Sequence, residues 1–405
     1  MLRRLFIVTG FVLINSCGNV TSKILKIGTW RATLEVQNNK ELPFIFEVIN
    51  ANELSIHNAK EVITVDEITY RNDSVFIKTP VFQSYIAAKF VNDSTLKGSY
   101  IKEDLNRFVP FNAEFNKAER FSVAKAPNVN MSGNWETVFS PTIDEDIYVA
   151  KGIFNQIGNK LSGTIRTITG DYRYLEGVVE GNTFKLSTFD GAHAFLFTGT
   201  VSDSTLQGTF YSGNHFQEPF IAKRNEAYEL PDPNALTFLK QGYDKLAFSF
   251  PDANGTLVSL EDERFKNKVV IIQLMGTWCP NCLDETKFYS QYYIENKNED
   301  LEIIALAFEY AKTNDAAFKN IERLKQKIDI GYPILLAQTG SSSKIKAQEK
   351  LPMLNHVLSY PTSVFVDKNG NVRKIHTGFN GPATGEKYIE FTKEFDAFVN
   401  LLLEE

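Results

Sequence analysis

Cysteine, histidine and tryptophan are scarce in this chain of 405 residues, and positive charge is not in excess over the chain as a whole. It holds three cysteines, five histidines and three tryptophans, and its formal net charge is −6. The acidic balance argues against nucleic acid, which calls for a basic face. Long apolar runs are also missing. The longest candidate, Leu5–Ile14, has ten residues, where a membrane-spanning helix needs about 20. With 43% apolar and 23% charged residues, the composition is that of ordinary globular protein, so disorder is not expected.

The few cysteines are placed informatively. Cys279 and Cys282 stand in Trp278-Cys279-Pro280-Asn281-Cys282, after the apolar run Val269–Met275. That run is continuous and rich in β-branched residues, as in a buried strand. Gly276-Thr277 makes a turn, and Pro280 fits the first turn of a helix but not its middle. Strand, turn, Cys-x-x-Cys and helix in this order form a thioredoxin-like redox motif. At a helix start the two sulfurs share one face and can close a small disulfide. The helix N-terminus favours the thiolate, which is the nucleophile. The dipole contributes roughly 0.3–1 kcal/mol, less than the ~1.4 kcal/mol of one pKa unit, so N–H contacts to the sulfur must supply the rest. The rival reading is structural zinc, which needs four ligands. No histidine lies near the pair in sequence and no second cysteine pair exists.

Residues from about 240 to 405 resemble the TlpA/ResA-like branch of the thioredoxin superfamily, membrane-anchored thiol-disulfide oxidoreductases of the bacterial envelope. The resemblance rests on the Trp-Cys-Pro-x-Cys junction, Tyr360-Pro361-Thr362 and the hairpin Ser363–Val372. It implies that Pro361 is cis and faces the disulfide, which leaves the backbone of Tyr360 to pair with a substrate strand. It also implies that Glu285, three residues after Cys282, is the acid/base for the second thiol. Gln273 stands where thioredoxin carries a titrating aspartate, and Lys287 where relatives often have a kinking proline. Asp284 reads as surface. Trp278, Pro280, Tyr360 and Pro361 are the expected substrate-contacting residues. The rest of the domain reads as strand Leu301–Phe308, helix Thr313–Ile328, strand Tyr332–Ala337, helix Ser343–Leu354 and helix Thr384–Leu403. His356 and His376 read as incidental.

Cys17 has different surroundings. Met1-Leu2-Arg3-Arg4 is a basic start, Leu5–Ile14 an apolar signal-peptide core, and Ile14-Asn15-Ser16-Cys17 resembles a bacterial lipobox. Cleavage before Cys17 would leave a lipidated N-terminus. An ordinary secretory peptide with a stray cysteine is the alternative. The expectation is a lipid-anchored, periplasm-facing envelope protein.

The first half of the chain holds a repeat. Gly28-Thr29-Trp30 returns as Gly133-Asn134-Trp135, Asp93–Gly98 as Asp203–Gly208, and Pro110-Phe111 as Pro219-Phe220, at offsets of 105, 110 and 109 residues. A shared period near 110 means two domains of one fold. Short alternating runs such as Phe44–Val48, Ser74–Lys78, Gly163–Ile168 and Thr183–Ser187, broken by Asn- and Gly-rich turns, read as β. The predicted fold class is therefore multidomain: two antiparallel all-β modules, barrel or sandwich, followed by an α/β thioredoxin-like domain. The boundaries are signal peptide 1–16, tether 17–27, β module 1 at 28–116, linker 117–132, β module 2 at 133–224, linker 225–238 and thioredoxin-like domain 239–405. The proline-bearing second linker reads as a semi-rigid spacer. Thr169–Tyr174 and Phe189–His193 have the polar and aromatic mix of a binding rim, which turn chemistry and core packing explain equally well, so no site is assigned there.

The functional expectation is thiol-disulfide exchange. Cys279 attacks, Cys282 resolves, and Glu285 handles the proton, with no cofactor and no metal. The expected partners are protein thiols or disulfides, an upstream electron donor or acceptor, and the membrane through the lipid anchor. One rival is an envelope binding protein whose β modules carry the main role. Another, a thiol peroxidase, wants a Pro-x-x-x-Thr-x-x-Cys setting that neither Cys279 nor Cys282 has.

Overall fold

A computed structural model describes residues 23–296 and 300–405. Leu5–Ile14 and Cys17 lie outside the described residues. Among the described residues, no helix is long and apolar enough to cross a membrane.

The first two domains are antiparallel meanders of short strands, and the repeat is visible atom by atom. Each begins at a glycine with positive φ, Gly28 at 120° and Gly133 at 112°. Each follows it by one residue with a fully buried tryptophan. Trp30 Nε1 donates to the carbonyl of Lys26 at 3.0 Å, and Trp135 Nε1 to that of Met131 at 2.9 Å. A buried indole N–H needs such a partner, so these tryptophans anchor equivalent first strands, Gly28–Val36 and Gly133–Phe139. Each first strand pairs with the last strand of its own module, Arg107–Phe115 or Phe216–Arg224. In module 2 pairing also runs from Tyr148–Ile157 to Lys160–Thr167, which closes the sheet into a barrel. Module 1 stays open between Glu61–Val65 and Glu67–Arg71.

The modules are not beads on a string. Phe189 of module 2 is fully buried in the core of module 1 and stacks on Phe44 at 4.4 Å. Arg120, in the linker between them, is buried and donates to carbonyls of both modules, those of Pro43 and Ser187. The second linker does not act as a spacer. It forms a seam on the third domain, where Thr377 N donates to Pro233 O at 3.0 Å and Asn355 N to Phe238 O at 2.8 Å. Module 1 also grips that domain directly. Val81 and Phe82 join its core, and Arg323 forms a two-pronged pair with Glu67 at 2.7 and 3.1 Å.

The third domain is a five-stranded sheet in the order Ile334–Gln338, Leu301–Phe308, Val269–Met275, Thr362–Val366, Val372–Thr377. Val269–Met275 is central and wholly buried. It runs parallel to Leu301–Phe308 and antiparallel to Thr362–Val366. Helices Pro280–Glu295 (α1), Asn314–Lys327 (α2), Lys344–Lys350 (α3) and Glu386–Glu404 (α4) accompany it. The expected helix 343–354 stops at Lys350, because Pro352 cannot extend it. Helix α1 is unbroken across Lys287. The C-terminal end of the central strand delivers the chain directly into α1.

Candidate active site

Cys279 is the N-cap of α1. Its backbone is extended and its Sγ accepts the N–H of Cys282 at 3.1 Å. A helix start has free N–H groups, and here one is spent on sulfur, the contact a thiolate needs beyond the dipole. Cys279 and Cys282 are joined as a disulfide. Cys279 keeps 6% exposure and Cys282 none, so Cys279 is the accessible member of the pair.

One turn after Cys282, Glu285 is fully buried. Gln273 Nε2 donates to its carboxyl at 2.8 Å, Ser363 Oγ at 3.0 Å and Tyr289 Oη at 3.4 Å. Burial pushes the carboxyl up to about 8, and these hydrogen bonds pull it back only in part. A group that changes protonation near neutrality is suited to moving a proton. Gln273 Nε2 also lies 3.5 Å from the Cys282 carbonyl oxygen, so the non-titrating amide ties the carboxyl to the cysteine's turn.

The opposite wall comes from the segment before Thr362–Val366. The Tyr360–Pro361 bond is cis, and the Tyr360 carbonyl oxygen lies 3.5 Å from Cys279 Sγ. Trp278 stands beside it, edge-on to Tyr360 at 5.9 Å, with its Nε1 donating to Phe308 O at 2.9 Å. Behind Trp278, burial pushes Glu309 up to about 7, while it accepts from Thr277 N at 2.8 Å and Thr277 Oγ1 at 2.7 Å. Cys279, Cys282, Glu285, Trp278, Pro280, Tyr360 and Pro361 thus converge at one end of the central strand.

Module 2 completes the surroundings, which sequence reasoning did not foresee. The segment Thr167–Arg173 lies across the N-terminus of α1. Ser359 Oγ donates to Thr169 O at 2.9 Å, and Gly381 N to Asp171 Oδ2 at 2.6 Å. Gly170, at φ 145°, approaches Asn281 so closely that a Cβ would collide with the side-chain amide. Arg173 is buried with φ 57°. Its guanidinium donates to Pro280 O at 3.1 Å and pairs with Asp284, with Glu61 of module 1 and with Asp190. Burial alone would lower the Arg173 pKa, but these carboxylates raise it well above the usual guanidinium value. Asp284 is therefore no surface residue: its side chain is 13% exposed and locked to Arg173. The signal in the sequence was the polar and aromatic mix of Thr169–Tyr174 and Phe189–His193, both of which come to this site. Their target, in another domain far along the chain, is not written in local pattern.

Residues 240–389 match the Redoxin family. Thiol-disulfide oxidoreductase ResA of Bacillus thuringiensis is 31% identical over 147 residues, covering 36% of this chain and 73% of that protein. Thioredoxin-like protein YneN of Bacillus subtilis is 26% identical over 140 residues, covering 35% and 73%. A solved thiol-disulfide oxidoreductase from Bacteroides fragilis is 20% identical, covering 37% of this chain and 99% of that one, with TM-score 0.27. The chain belongs to the ResA-like thiol-disulfide oxidoreductases of the thioredoxin superfamily.

Proposed function

We propose that this protein exchanges its Cys279–Cys282 disulfide or dithiol with thiols and disulfides of proteins in the bacterial envelope, held at the membrane by a lipid on Cys17. The observation that carries the exchange is the asymmetry of the pair. Cys279 caps α1 at the surface, with a backbone N–H on its sulfur, whereas Cys282 is sealed beside a carboxyl poised near neutrality. In the reductive direction the Cys279 thiolate attacks one substrate sulfur. The substrate S–S bond breaks, a mixed disulfide forms and one substrate thiolate leaves. Glu285 in its carboxylate form, which grows in as pH approaches about 8, takes the Cys282 proton, and the Cys282 thiolate attacks Cys279 Sγ. The second substrate thiolate leaves and the internal disulfide closes, so the substrate gains the two electrons that the pair loses. An upstream donor or acceptor restores the starting state. Trp278 and Pro280 shape the approach to Cys279, and the backbone of Tyr360 before Pro361 faces the incoming chain. The basic start, the short apolar core and the lipobox-like Ile14–Cys17 support the envelope location. The test is insulin reduction by the full-length protein with a thiol donor: turnover that disappears in Cys279→Ser supports the reading, and turnover that persists overturns it.

A further inference from the structure

The reactive sulfur does not open onto a flat surface. Cys279 lines a cavity of about 400 Å³ shared between two domains. Trp278, Pro280, Asn281 and Tyr360 form one side. Tyr148, Thr167–Tyr172, His193 and Phe195 of module 2 form the other. That second wall is fixed by the buried contacts of Thr169, Asp171 and Arg173 with Ser359, Gly381 and Pro280.

The chemistry of the cavity is distinctive. Its rings are Tyr148, Tyr172, Phe195, Trp278 and Tyr360, with His193 stacked on Phe195 at 4.3 Å. Its carboxyl and imidazole, Asp171 and His193, already face partners, whereas the buried Tyr360 hydroxyl has none among the described residues. The two carboxyl oxygens of Asp171 accept the N–H groups of Gly381 and Arg173. His193 faces Asp190 at 3.3 Å, and the hydroxyls of Tyr148 and Tyr172 meet at 2.9 Å. No free charge is presented, so a charged group entering would lose water without gaining a partner, whereas an apolar side chain would gain by leaving water. Because Cys279 is part of the lining, whatever fills the cleft during exchange is covalently next to the reacting sulfur. The wall over α1 also keeps a broad folded surface away.

We infer that module 2 is a specificity wall: the cleft takes an uncharged aromatic or large aliphatic side chain next to the reacting cysteine in an extended segment of the substrate protein. This rests on the reading of Cys279 as the attacking sulfur.

The test uses the reduced full-length chain in single turnover against short peptides, each dimerised through one disulfide. They carry Phe, Leu, Asp or Lys beside the cysteine, and their rates are normalised to those with dithiothreitol. The Phe and Leu peptides should react about tenfold or more faster than the Asp and Lys peptides, the discrimination expected from burying such a side chain. Thr169→Trp, which fills the cleft, should reduce that ratio to about one, and Phe195→Leu should favour Leu over Phe relative to wild type. A wild-type ratio below about twofold, or a ratio that Thr169→Trp leaves unchanged, overturns the inference. The wild-type ratio decides the matter if either variant does not fold. Hydroxyethyl disulfide separates the two claims. Failure to oxidise the reduced protein would sink the proposed exchange itself, while normal oxidation with equal peptide rates would sink only the specificity wall.

Discussion

Replacing Glu285 with glutamine should make the oxidised protein more stable, and increasingly so as pH rises. The carboxyl has an ordinary value of 4.5 and is pushed by burial to about 8 in the fold. Below pH 4.5 it is protonated in both folded and unfolded chains and costs nothing. Between those values the unfolded chain releases a proton that the folded chain keeps, so wild-type stability falls by up to about 1.4 kcal/mol per pH unit. At pH 7 the accumulated cost approaches ~3 kcal/mol, and above about 8 it stops growing. Glutamine has the same shape and cannot ionise; its amide oxygen can keep the bond from Gln273, and its NH2 then faces Ser363 Oγ, a hydroxyl that can also accept. Urea unfolding of the two oxidised proteins at pH 5 and pH 8 reads the difference. The midpoints should lie close together at pH 5 and separate at pH 8, with Glu285→Gln the higher. The same variant should exchange thiols more slowly near neutrality, because the amide cannot accept the Cys282 proton. A stability difference independent of pH would refute the argument that burial holds this proton.

Cys282→Ser should accumulate mixed disulfides through Cys279, visible on non-reducing gels of cells; trapping by Cys279→Ser instead would reverse the assigned roles. Arg173→Ala removes the cation from Asp284, Glu61 and Asp190. It should cost about 3–5 kcal/mol, loosen module 2 from α1 and speed protease cleavage at 225–238; unchanged cleavage would show that the buried pair does not hold the domains together. Cys17→Ser should move the protein from the membrane fraction to the soluble fraction without loss of insulin turnover, and retention on membranes after salt washing would count against the lipid anchor.

How far the sequence could be read depended on the range of the interactions. The strand, turn, Cys-x-x-Cys and helix junction was legible because its parts are local: strand Val269–Met275, its turn and the N-cap cysteine are consecutive. The two β modules were legible because the fold is written twice, with Gly-x-Trp and Asp-Ser-Thr-Leu in register. Closure of module 2 and the opening in module 1 were not, since each turns on whether two neighbouring strands pair, Tyr148–Ile157 with Lys160–Thr167 or Glu61–Val65 with Glu67–Arg71, and alternation alone does not decide that. Asp284 was misread because its partner is distant. Its partner Arg173 belongs to another domain, and an aspartate on a helix carries no local sign that a buried guanidinium will cover it. Pro352, by contrast, is in plain view, and the expected helix 343–354 runs past a residue that ends helices.

The central claim is that Cys279 and Cys282 form a working redox couple, not a structural crosslink. The direct measurement is equilibration of the full-length protein in thiol-disulfide buffers of graded potential, with the oxidised fraction of this pair counted by alkylation and mass spectrometry. The account predicts a single two-electron transition within roughly −270 to −120 mV, the span of thioredoxin-fold oxidoreductases. A pair that stays oxidised down to about −300 mV would behave as a structural disulfide and contradict it.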